Sequence, residues 1–488
     1  MMDIQLRDYQ QESIERLRHN IRRGVMTQVL CAPTGSGKTV CAAHLLHECY
    51  EKGKRALFIA DRVPLIDQTS ATLDQYGIPH GIIQADHWRW RPYERIQVAS
   101  AQTLARRNWP DVDLIIVDEC HTIHRTVVQR IARRDVVTIG LTATPFTRGL
   151  GRYYDAVVSV TTTNRLIEEG RLASFRVFAA SEPDMTGAET NRMGEWTDRA
   201  AEQRALPIVG DCVAEYLKHA AGKKFIAFGV TIAHCEELQR QFMAAGVVCG
   251  LYTSRTSDAE RRSLLEAFAE PDGYMRGLIS VAALAKGFDR PDVECVIIAR
   301  PLRKGFAEHI QILGRGLRAY PGKTECIILD HAGNTLRFWD QMQDFFEHGA
   351  SELDDGRARE RPKQKSPSIS EPRKCPECAH VHAARLYCPA CGYEYPKKKS
   401  DVSHVAGELE ALGGAAATRE ARASLYAQLL WIARERGYKP GWAAHKYKER
   451  VGTWPNGMAP EPEPPTPELQ RWVKSRMIAW AKAHARAA

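Results

Sequence analysis

Short, predominantly apolar runs recur along the first two thirds of the chain, separated by segments in which apolar positions have a helical spacing. Such runs occupy residues 56–60, 96–99, 114–117 and 136–141, and the pattern starts again with 224–229, 277–281 and 293–298. Buried strands that alternate with helices are typical of parallel sheets covered by helices on both faces. We therefore predict an α/β fold built from two tandem, doubly wound parallel-sheet lobes.

Breaks in this pattern divide the chain into six predicted segments. A first lobe, residues 1–173, is followed by a polar linker or insert, 174–206, and by a second lobe, 207–345. A basic linker, 346–372, is rich in Arg, Lys, Pro and Ser and leads to a cysteine-containing segment, 373–399. The remainder, 400–488, is predicted to be helical, and its last helix carries an apolar stripe at Leu469, Trp472, Val473, Met477 and Trp480. This stripe is expected to pack on the body of the protein or on a partner.

One stretch of the first lobe has the pattern of a phosphate-binding loop. Residues 32–39 read Ala-Pro-Thr-Gly-Ser-Gly-Lys-Thr and follow the apolar run 29–31 directly. Gly35 and Gly37 let the backbone turn so that successive N–H groups and a helix N-terminus face phosphates. Lys38 is expected to reach the β- and γ-phosphates of ATP, and the Thr39 hydroxyl to bind Mg²⁺. The other predicted nucleotide-binding residues of this loop are Thr34 and Ser36.

A pair of adjacent carboxylates, Asp118 and Glu119, follows the apolar run 114–117. The carboxyl ends of parallel strands form the ligand-binding edge of an open α/β sheet. We expect Asp118 to hold Mg²⁺ through water, and Glu119 to orient and deprotonate the attacking water. An isolated Asp-Glu pair is as often a solvated turn, but a position after a buried strand and downstream of a phosphate loop favours catalysis.

The residues alone leave two further candidates with alternatives. Gln10 lies upstream of the phosphate loop and offers a donor and an acceptor for the adenine edge, although an ordinary surface glutamine fits as well. Arg315 and Arg318 lie three residues apart on a predicted helix of the second lobe, so they can converge on one anion. An arginine finger from a second lobe would make ATP hydrolysis depend on lobe closure. A basic solvated face or a nucleic-acid contact is the alternative.

In order and spacing, these motifs and the sequence Thr-Ala-Thr-Pro at 142–145 resemble motifs I, II and III of superfamily 2 helicases of the DExH type. Residues 280–289 and 311–318 resemble motifs V and VI, so the resemblance extends from residue 6 to about residue 330. It implies two RecA-like lobes with ATP between them, and it favours the arginine finger. The ATP-binding residues that it implies outside the loop are Arg7, Gln10, Asp118, Gly287, Asp289 and Gln311. The nucleic-acid-contacting or coupling residues that it implies are Arg62, Gln102, Thr103, Thr142, Thr144 and Ser280.

Four cysteines form two C-x-x-C pairs, at Cys375 and Cys378 and at Cys388 and Cys391. Two such pairs separated by a short loop are typical of a Cys₄ zinc ribbon. Since four protein ligands leave no open position, the predicted Zn²⁺ is structural. Two disulfides are the alternative, which a reducing compartment disfavours.

Amino-acid composition bears on two further questions, the kind of partner and the cellular compartment. The formal net charge of +9 favours a polyanion, and the nine other cysteines are scattered singly, as in a reducing compartment. No stretch approaches the roughly 20 apolar residues of a membrane span, and the N-terminus lacks the pattern of a secretory signal. We therefore expect a cytoplasmic protein with no membrane partner.

The combined pattern predicts an ATP-dependent DNA helicase or translocase that uses ATP, Mg²⁺ and a structural Zn²⁺. The helicase lobes, the Cys₄ ribbon and the sequence Gly-Tyr-Lys-Pro-Gly-Trp at 437–442 resemble the RadD branch of bacterial and phage DNA-repair helicases. That resemblance implies repair or recombination on single-stranded or forked DNA, with a single-strand-binding or other repair protein as a partner of the C-terminal region. Aromatic residues interleaved with lysines at 438–455 would stack bases or form the core of a small helical domain. The alternative functions are a restriction or defence motor on duplex DNA, an RNA-remodelling enzyme, and a scaffold with a vestigial ATPase.

Overall fold

The computed structural model describes most of the chain and divides it into two compact units, residues 1–397 and 398–488. The described residues are 4–179, 183–191, 194–271, 273–281, 284, 288, 290–356, 372–395, 419–439, 441–451, 454–455, 457–467, 469–470, 472–474 and 476. Both predicted lobes and the cysteine segment belong to the first unit. Within the described residues, every helix is too short or too polar to span a bilayer.

The first lobe is a seven-stranded parallel sheet with helices on both faces. Its strands are β1 Thr27–Cys31, β2 Ala56–Ala60, β3 His80–Ile83, β4 Ile96–Ser100, β5 Leu114–Val117, β6 Val137–Thr142 and β7 Ala156–Val158. Its helices are α1 Asp8–Arg22, α2 Lys38–Glu51, α3 Val63–Gln75, α4 Ala101–Leu104, α5 Arg125–Ile131 and α6 Thr163–Glu168. The spatial order β3-β4-β2-β5-β6-β1-β7 places β1 and β5, which precede the two nucleotide motifs, in the interior of the sheet. Apolar side chains on the two faces form separate core clusters beneath the helices.

The second lobe repeats this architecture, and the two parallel-sheet lobes confirm the predicted fold class. Its strands, with those of the cysteine segment, are β8 Ser174–Phe178, β9 Phe225–Phe228, β10 Cys249–Leu251, β11 Gly277–Ser280, β12 Cys295–Ile298, β13 Glu325–Asp330, β14 Pro372–Lys374 and β15 His380–Ala383. Its helices are α7 Asp198–Ala205, α8 Val209–His219, α9 Ile232–Ala244, α10 Asp258–Ala269, α11 Phe306–Gly316, α12 Asn334–Arg337 and α13 Trp339–His348. The order β10-β11-β9-β12-β13-β8-β15-β14 is parallel from β10 to β8.

The segment 174–206, which the sequence analysis treats as a linker or insert, begins with a strand of the second lobe. β8 pairs in parallel with β13, with Phe175 opposite Cys326 and Val177 opposite Ile328. On its other side, β8 pairs antiparallel with β15, with His380 opposite Phe178. The cysteine segment is therefore an extension of the second sheet.

The second unit has its own helical core. Among its described residues are helices α14 Arg419–Glu435 and α15 Trp442–Val451. Their core includes Leu429, Ile432, Ala443 and Tyr447 together with Leu469 and Val473, so these two members of the predicted apolar stripe pack within the unit. Met477 and Trp480 lie outside the described residues. Burial of Tyr447 supports the interpretation of residues 438–455 as part of a small helical core. Trp454 is exposed instead, and Lys448 Nζ lies 4.4 Å from the centre of its ring.

Candidate nucleotide site between the lobes

The predicted phosphate loop joins β1 to α2 and has the backbone geometry that phosphate binding requires. Gly35 and Gly37 have φ values of +86° and +85°, which side-chain-bearing residues rarely adopt. Lys38 is the first residue of α2, and its Nζ donates to the carbonyl oxygens of Ala32 at 3.0 Å and Pro33 at 3.2 Å. The buried Ser36 hydroxyl has no hydrogen-bond partner among the described residues. A helix N-terminus, a lysine and an unsatisfied hydroxyl fit a bound triphosphate.

Helix α1 supports this loop through Gln10. The Gln10 side chain accepts from the Arg7 backbone N–H at 2.9 Å and donates to the Ser36 carbonyl oxygen at 2.9 Å. A Cβ atom at Gly37 would lie 2.5 Å from Gln10 Nε2, so only glycine allows this close approach. Tyr9 Oη donates to the same Ser36 carbonyl at 2.8 Å. Gln10 is therefore a buried support of the loop and not a surface glutamine, while its contact with adenine stays a prediction.

The two adjacent carboxylates lie at the carboxyl end of β5, and their pKa values are shifted in opposite directions. Burial raises the pKa of Asp118 to about 7, and the negative charge of the neighbouring Glu119 is the second cause. Burial opposes ionisation of Glu119 too, but the neighbouring His121 and the positive charges of Lys38 and Arg315 lower its pKa to about 2. Glu119 also has a φ of +47°, a strained conformation that is often found at functional sites. The lowered pKa keeps Glu119 ionised, so its carboxylate can accept a hydrogen bond from an attacking water, and Asp118 places a second carboxyl group beside it.

His121 connects Glu119 to the second lobe, a role that the sequence analysis did not assign. The Gln311 amide nitrogen lies 3.1 Å from His121 Nε2 and 3.1 Å from Thr144 Oγ1. With the Gln311 amide N–H donating to His121 Nε2, the proton of the neutral imidazole would lie on Nδ1. Nδ1 lies 3.2 Å from Glu119 Oε2 and 2.9 Å from Thr142 Oγ1. One histidine therefore links the candidate base, the carboxyl end of β6 and helix α11.

The predicted arginine pair lies on the opposite wall of the same cavity. Arg315 Nη1 and Arg318 Nη1 both donate to the Phe288 carbonyl oxygen, at 2.6 and 2.8 Å. A cavity of about 420 Å³ is lined by residues of both lobes. Its lining includes Arg7, Thr34, Gly35, Gly37, Lys38, Thr39, Asp118, Glu119, Arg315 and Arg318.

Close packing brings α11, and Arg318 just beyond it, against the phosphate loop; α11 ends at Gly316, so of the two predicted arginines only Arg315 is on the helix. A Cβ atom at Gly314 would lie 2.7 Å from Thr34 Cβ, and a Cβ atom at Gly35 would lie 3.2 Å from Arg318 Cγ. Beside the cavity, the backbones of the two lobes therefore approach each other closely at these two glycines. Gln311 is placed in the His121 network and not in the lining of the cavity.

The remaining predicted residues fall into three groups. Arg62 and Gln102 are exposed and Thr103 is partly exposed at the carboxyl ends of β2 and β4, where a ligand on the surface can reach them. Thr142, Thr144 and Ser280 are fully buried, so their side chains face the protein interior. Gly287 and Asp289 lie outside the described residues.

The four predicted cysteine ligands converge. Their sulfur atoms all lie within 4.8 Å of one another, with Cys375 and Cys391 Sγ atoms 3.6 Å apart and Cys378 and Cys388 Sγ atoms 3.7 Å apart. These separations far exceed the S–S bond length of about 2.05 Å, so the disulfide alternative does not describe this geometry. A tetrahedron with Zn–S bonds of about 2.3 Å has edges of about 3.8 Å, which fits the two distances.

Comparisons with known proteins agree with this arrangement. Residues 3–147 match the family described as "Type III restriction enzyme, res subunit", and residues 209–320 match "Helicase conserved C-terminal domain". A "51.5 kDa protein" of a Lactococcus phage is 27% identical over 78% of this chain and 81% of its own length. The Saccharomyces cerevisiae protein "Putative ATP-dependent helicase IRC3" is 26% identical over 67% of this chain, which spans about half, 51%, of the yeast protein.

Among solved structures, similarity in fold extends to "the fragment structure of a putative HsdR subunit of a type I restriction enzyme from Vibrio vulnificus YJ016". It has a TM-score of 0.55 and 24% identity, and the match covers 71% of this chain and 69% of that one. The two matched families, one in each lobe, indicate a superfamily 2 helicase with ATPase activity.

Proposed function

We propose that this superfamily 2 protein is a DNA translocase that hydrolyses ATP between its two lobes and moves along DNA as the lobes open and close. The observation that carries the proposal is the cavity in which Lys38, Asp118 and Glu119 of one lobe face Arg315 and Arg318 of the other. Bound ATP with Mg²⁺ would supply the phosphoryl group, and residues of both lobes would have to surround it for hydrolysis.

Each wall of the cavity has a defined role in this proposal. Lys38 and the loop N–H groups bind the phosphates, and Asp118 and Thr39 hold the metal ion. Glu119 orients the attacking water, and the arginines stabilise charge that develops on the transferred phosphoryl group. The His121 network would couple the position of α11 to Glu119, because Gln311 of the second lobe lies 3.1 Å from His121 of the first.

We propose that the polymer is DNA and, more specifically, that the protein acts in DNA repair. The net charge of +9 and exposed Arg62 and Gln102 at the edge of the first sheet support a polyanionic ligand. The motif order and the tail resemble those of the RadD branch. This resemblance supports a role in DNA repair on single-stranded or forked DNA.

A second candidate is the motor subunit of a restriction or defence complex. It is favoured by the match of residues 3–147 to a restriction-enzyme family and by the fold likeness to an HsdR subunit. Such a motor would move on duplex DNA without separating its strands.

Displacement assays distinguish the two candidates. We expect the protein with ATP to release a labelled strand from a forked duplex and to be inactive on that fork with a nonhydrolysable ATP analogue. Release of a triplex-forming oligonucleotide from duplex DNA without any release of strands from the fork would instead support the restriction motor. A protein that moves neither probe with ATP would contradict both candidates.

The cysteine segment is proposed to bind one structural Zn²⁺ through Cys375, Cys378, Cys388 and Cys391. We expect about one zinc per chain in freshly purified protein by metal analysis, and its loss when Cys375 and Cys378 are both changed to Ser. Because β15 pairs with β8, loss of zinc should also lower the melting temperature of the second lobe. Cys49→Ser, at a cysteine outside the cluster, is the matched control and should keep the metal. Wild-type protein without zinc would contradict the site.

A further inference from the structure

Residues 84–95, which connect β3 to β4, present three aromatic side chains to solvent. We call this segment the aromatic loop. Trp88 is 75% exposed, Trp90 47% and Tyr93 72%. Single exposed aromatic residues are common on protein surfaces, but three within six positions form a patch of the kind that marks an interaction site. None of the motifs that carry the nucleotide site includes them.

The aromatic loop is fixed to the body of the first lobe. Arg89 Nη1 donates to Ser70 Oγ at 3.0 Å and to Asp74 Oδ1 at 2.7 Å. Gln97, a buried residue of β4, donates from Nε2 to the Arg91 carbonyl oxygen at 2.8 Å. These bonds hold the backbone of the loop, so binding to its rings would require little further ordering and would cost little conformational entropy.

Positive charges accompany the rings. The Arg89 guanidinium lies 4.9 Å from the centre of the Trp88 ring, and the Arg107 guanidinium lies 5.1 Å from that of Trp90. Further exposed arginines nearby are Arg91, Arg95 and Arg106. Aromatic rings that stack on bases, interleaved with cations that neutralise phosphates, are how proteins bind single-stranded nucleic acid without reading its sequence.

The loop adjoins the edge of the sheet where the sequence analysis predicts contacts with a strand. The Ala85 N–H donates to Thr103 Oγ1 at 3.4 Å, and Arg107 Nη2 donates to the Ala85 carbonyl oxygen at 2.8 Å. Gln102 Nε2 donates to the Asp61 carbonyl oxygen at 2.8 Å, next to Arg62. Because β2, β3 and β4 are parallel, the loop and these residues begin at the same edge of the first lobe.

We propose that the aromatic loop is a stacking platform for unpaired bases of single-stranded nucleic acid bound along the first lobe. This proposal rests on the proposed motor function and adds a contact outside its motifs. A nucleic acid is favoured over a protein partner because the rings alternate along the loop with arginines. The ring faces suit bases of any sequence, so the contact would allow movement along the strand.

Equilibrium binding of a fluorescein-labelled oligothymidine, followed by anisotropy over a series of KCl concentrations, tests the platform. We expect Trp88→Ala, Trp90→Ala and Tyr93→Ala each to weaken binding by at least about fivefold, the range that loss of a base-stacking ring produces. Removing a neutral ring should leave the salt dependence unchanged. Arg91→Ala should instead reduce the slope of log K against log salt by about 0.7, the value for one phosphate contact on a single strand.

Tyr274→Ala is the matched control, since Tyr274 is 71% exposed in the second lobe and belongs to no proposed site. It should bind as the wild type does, and melting curves establish that every variant is folded. A triple variant of the loop that binds within twofold of wild type would overturn the platform and leave the motor assignment intact. Wild-type protein that binds neither oligothymidine nor oligouridine would overturn both proposals.

Discussion

Glu119→Gln is expected to lower kcat for ATP hydrolysis by about 10²- to 10⁴-fold, the usual contribution of a positioned general base. The amide keeps the shape of the side chain but cannot accept a proton from water. It also loses the negative charge that His121 Nδ1 faces at 3.2 Å, a charge that His121, Lys38 and Arg315 favour by lowering the pKa of Glu119 to about 2. ATP affinity, measured with a fluorescent ATP analogue, should change little because Lys38 and the loop remain.

An exposed glutamate of α10 supplies the control for this experiment. Glu266→Gln makes the same chemical change in the second lobe, away from the cavity, and should hydrolyse ATP at the wild-type rate. If Glu119→Gln also hydrolysed ATP at close to the wild-type rate, Glu119 would not be the base. Loss of ATP binding in the same variant would indicate a structural role for the carboxylate instead.

Arg315→Ala is expected to lower kcat by about 10³- to 10⁵-fold if Arg315 is the arginine finger. Arg315 is buried on α11, and its positive charge contributes to the lowered pKa of Glu119 on the other lobe. The side chain therefore acts electrostatically across the cavity. Single-turnover hydrolysis measures the loss without interference from product release.

Lysine substitution tests how Arg315 acts. Arg315→Lys keeps the charge but loses the planar fork that contacts two phosphate oxygens, so it should recover only a small part of the lost rate. Arg262→Ala, at an exposed arginine of α10, is the control and should retain the wild-type rate. If Arg315→Ala hydrolysed ATP at close to the normal rate and Arg318→Ala lost most of that rate, Arg318 would be the arginine finger instead.

The proposed dependence of hydrolysis on lobe closure is supported by contacts that the motifs alone do not specify. Gln311 and His121 are 190 positions apart in the chain, yet their side chains meet between the lobes. Since His121 also faces Glu119, any movement of α11 changes the surroundings of the candidate base. A nucleic acid that spans both lobes would thus alter the rate of hydrolysis by altering closure, which is the coupling that a motor requires.

Strands with continuous apolar sequences were predictable because their burial on both faces leaves no polar positions. β2 and β5 begin and end at the residues that the apolar runs predict. β8 was not predictable, since its sequence Ser-Phe-Arg-Val-Phe alternates and its partners, β13 and β15, lie about 150 or more residues further along the chain. β3 is short and contains a glycine, which weakens the apolar signal of His80–Ile83.

For the candidate site, the linear motifs identify the residues but not their mutual contacts. The order of glycines and Lys38 identifies the phosphate loop because phosphate binding depends on local backbone geometry. The support of that loop by Gln10 depends on a contact with Ser36, 26 positions away, and appears only in the fold. His121 had a visible signal, its place two residues after Glu119, yet its role depends on Gln311 from the other lobe.

Steady-state ATP hydrolysis measured without polymer and then with single-stranded, duplex and forked DNA and with RNA tests the central claim most directly. Glu119→Gln controls for contaminating ATPases. The proposed motor predicts strong stimulation by DNA, greatest with single strands or forks, because the polymer favours the closed cleft that brings Arg315 to the nucleotide. Hydrolysis that is unaffected by every DNA, or that responds to RNA alone, would contradict a DNA-driven motor.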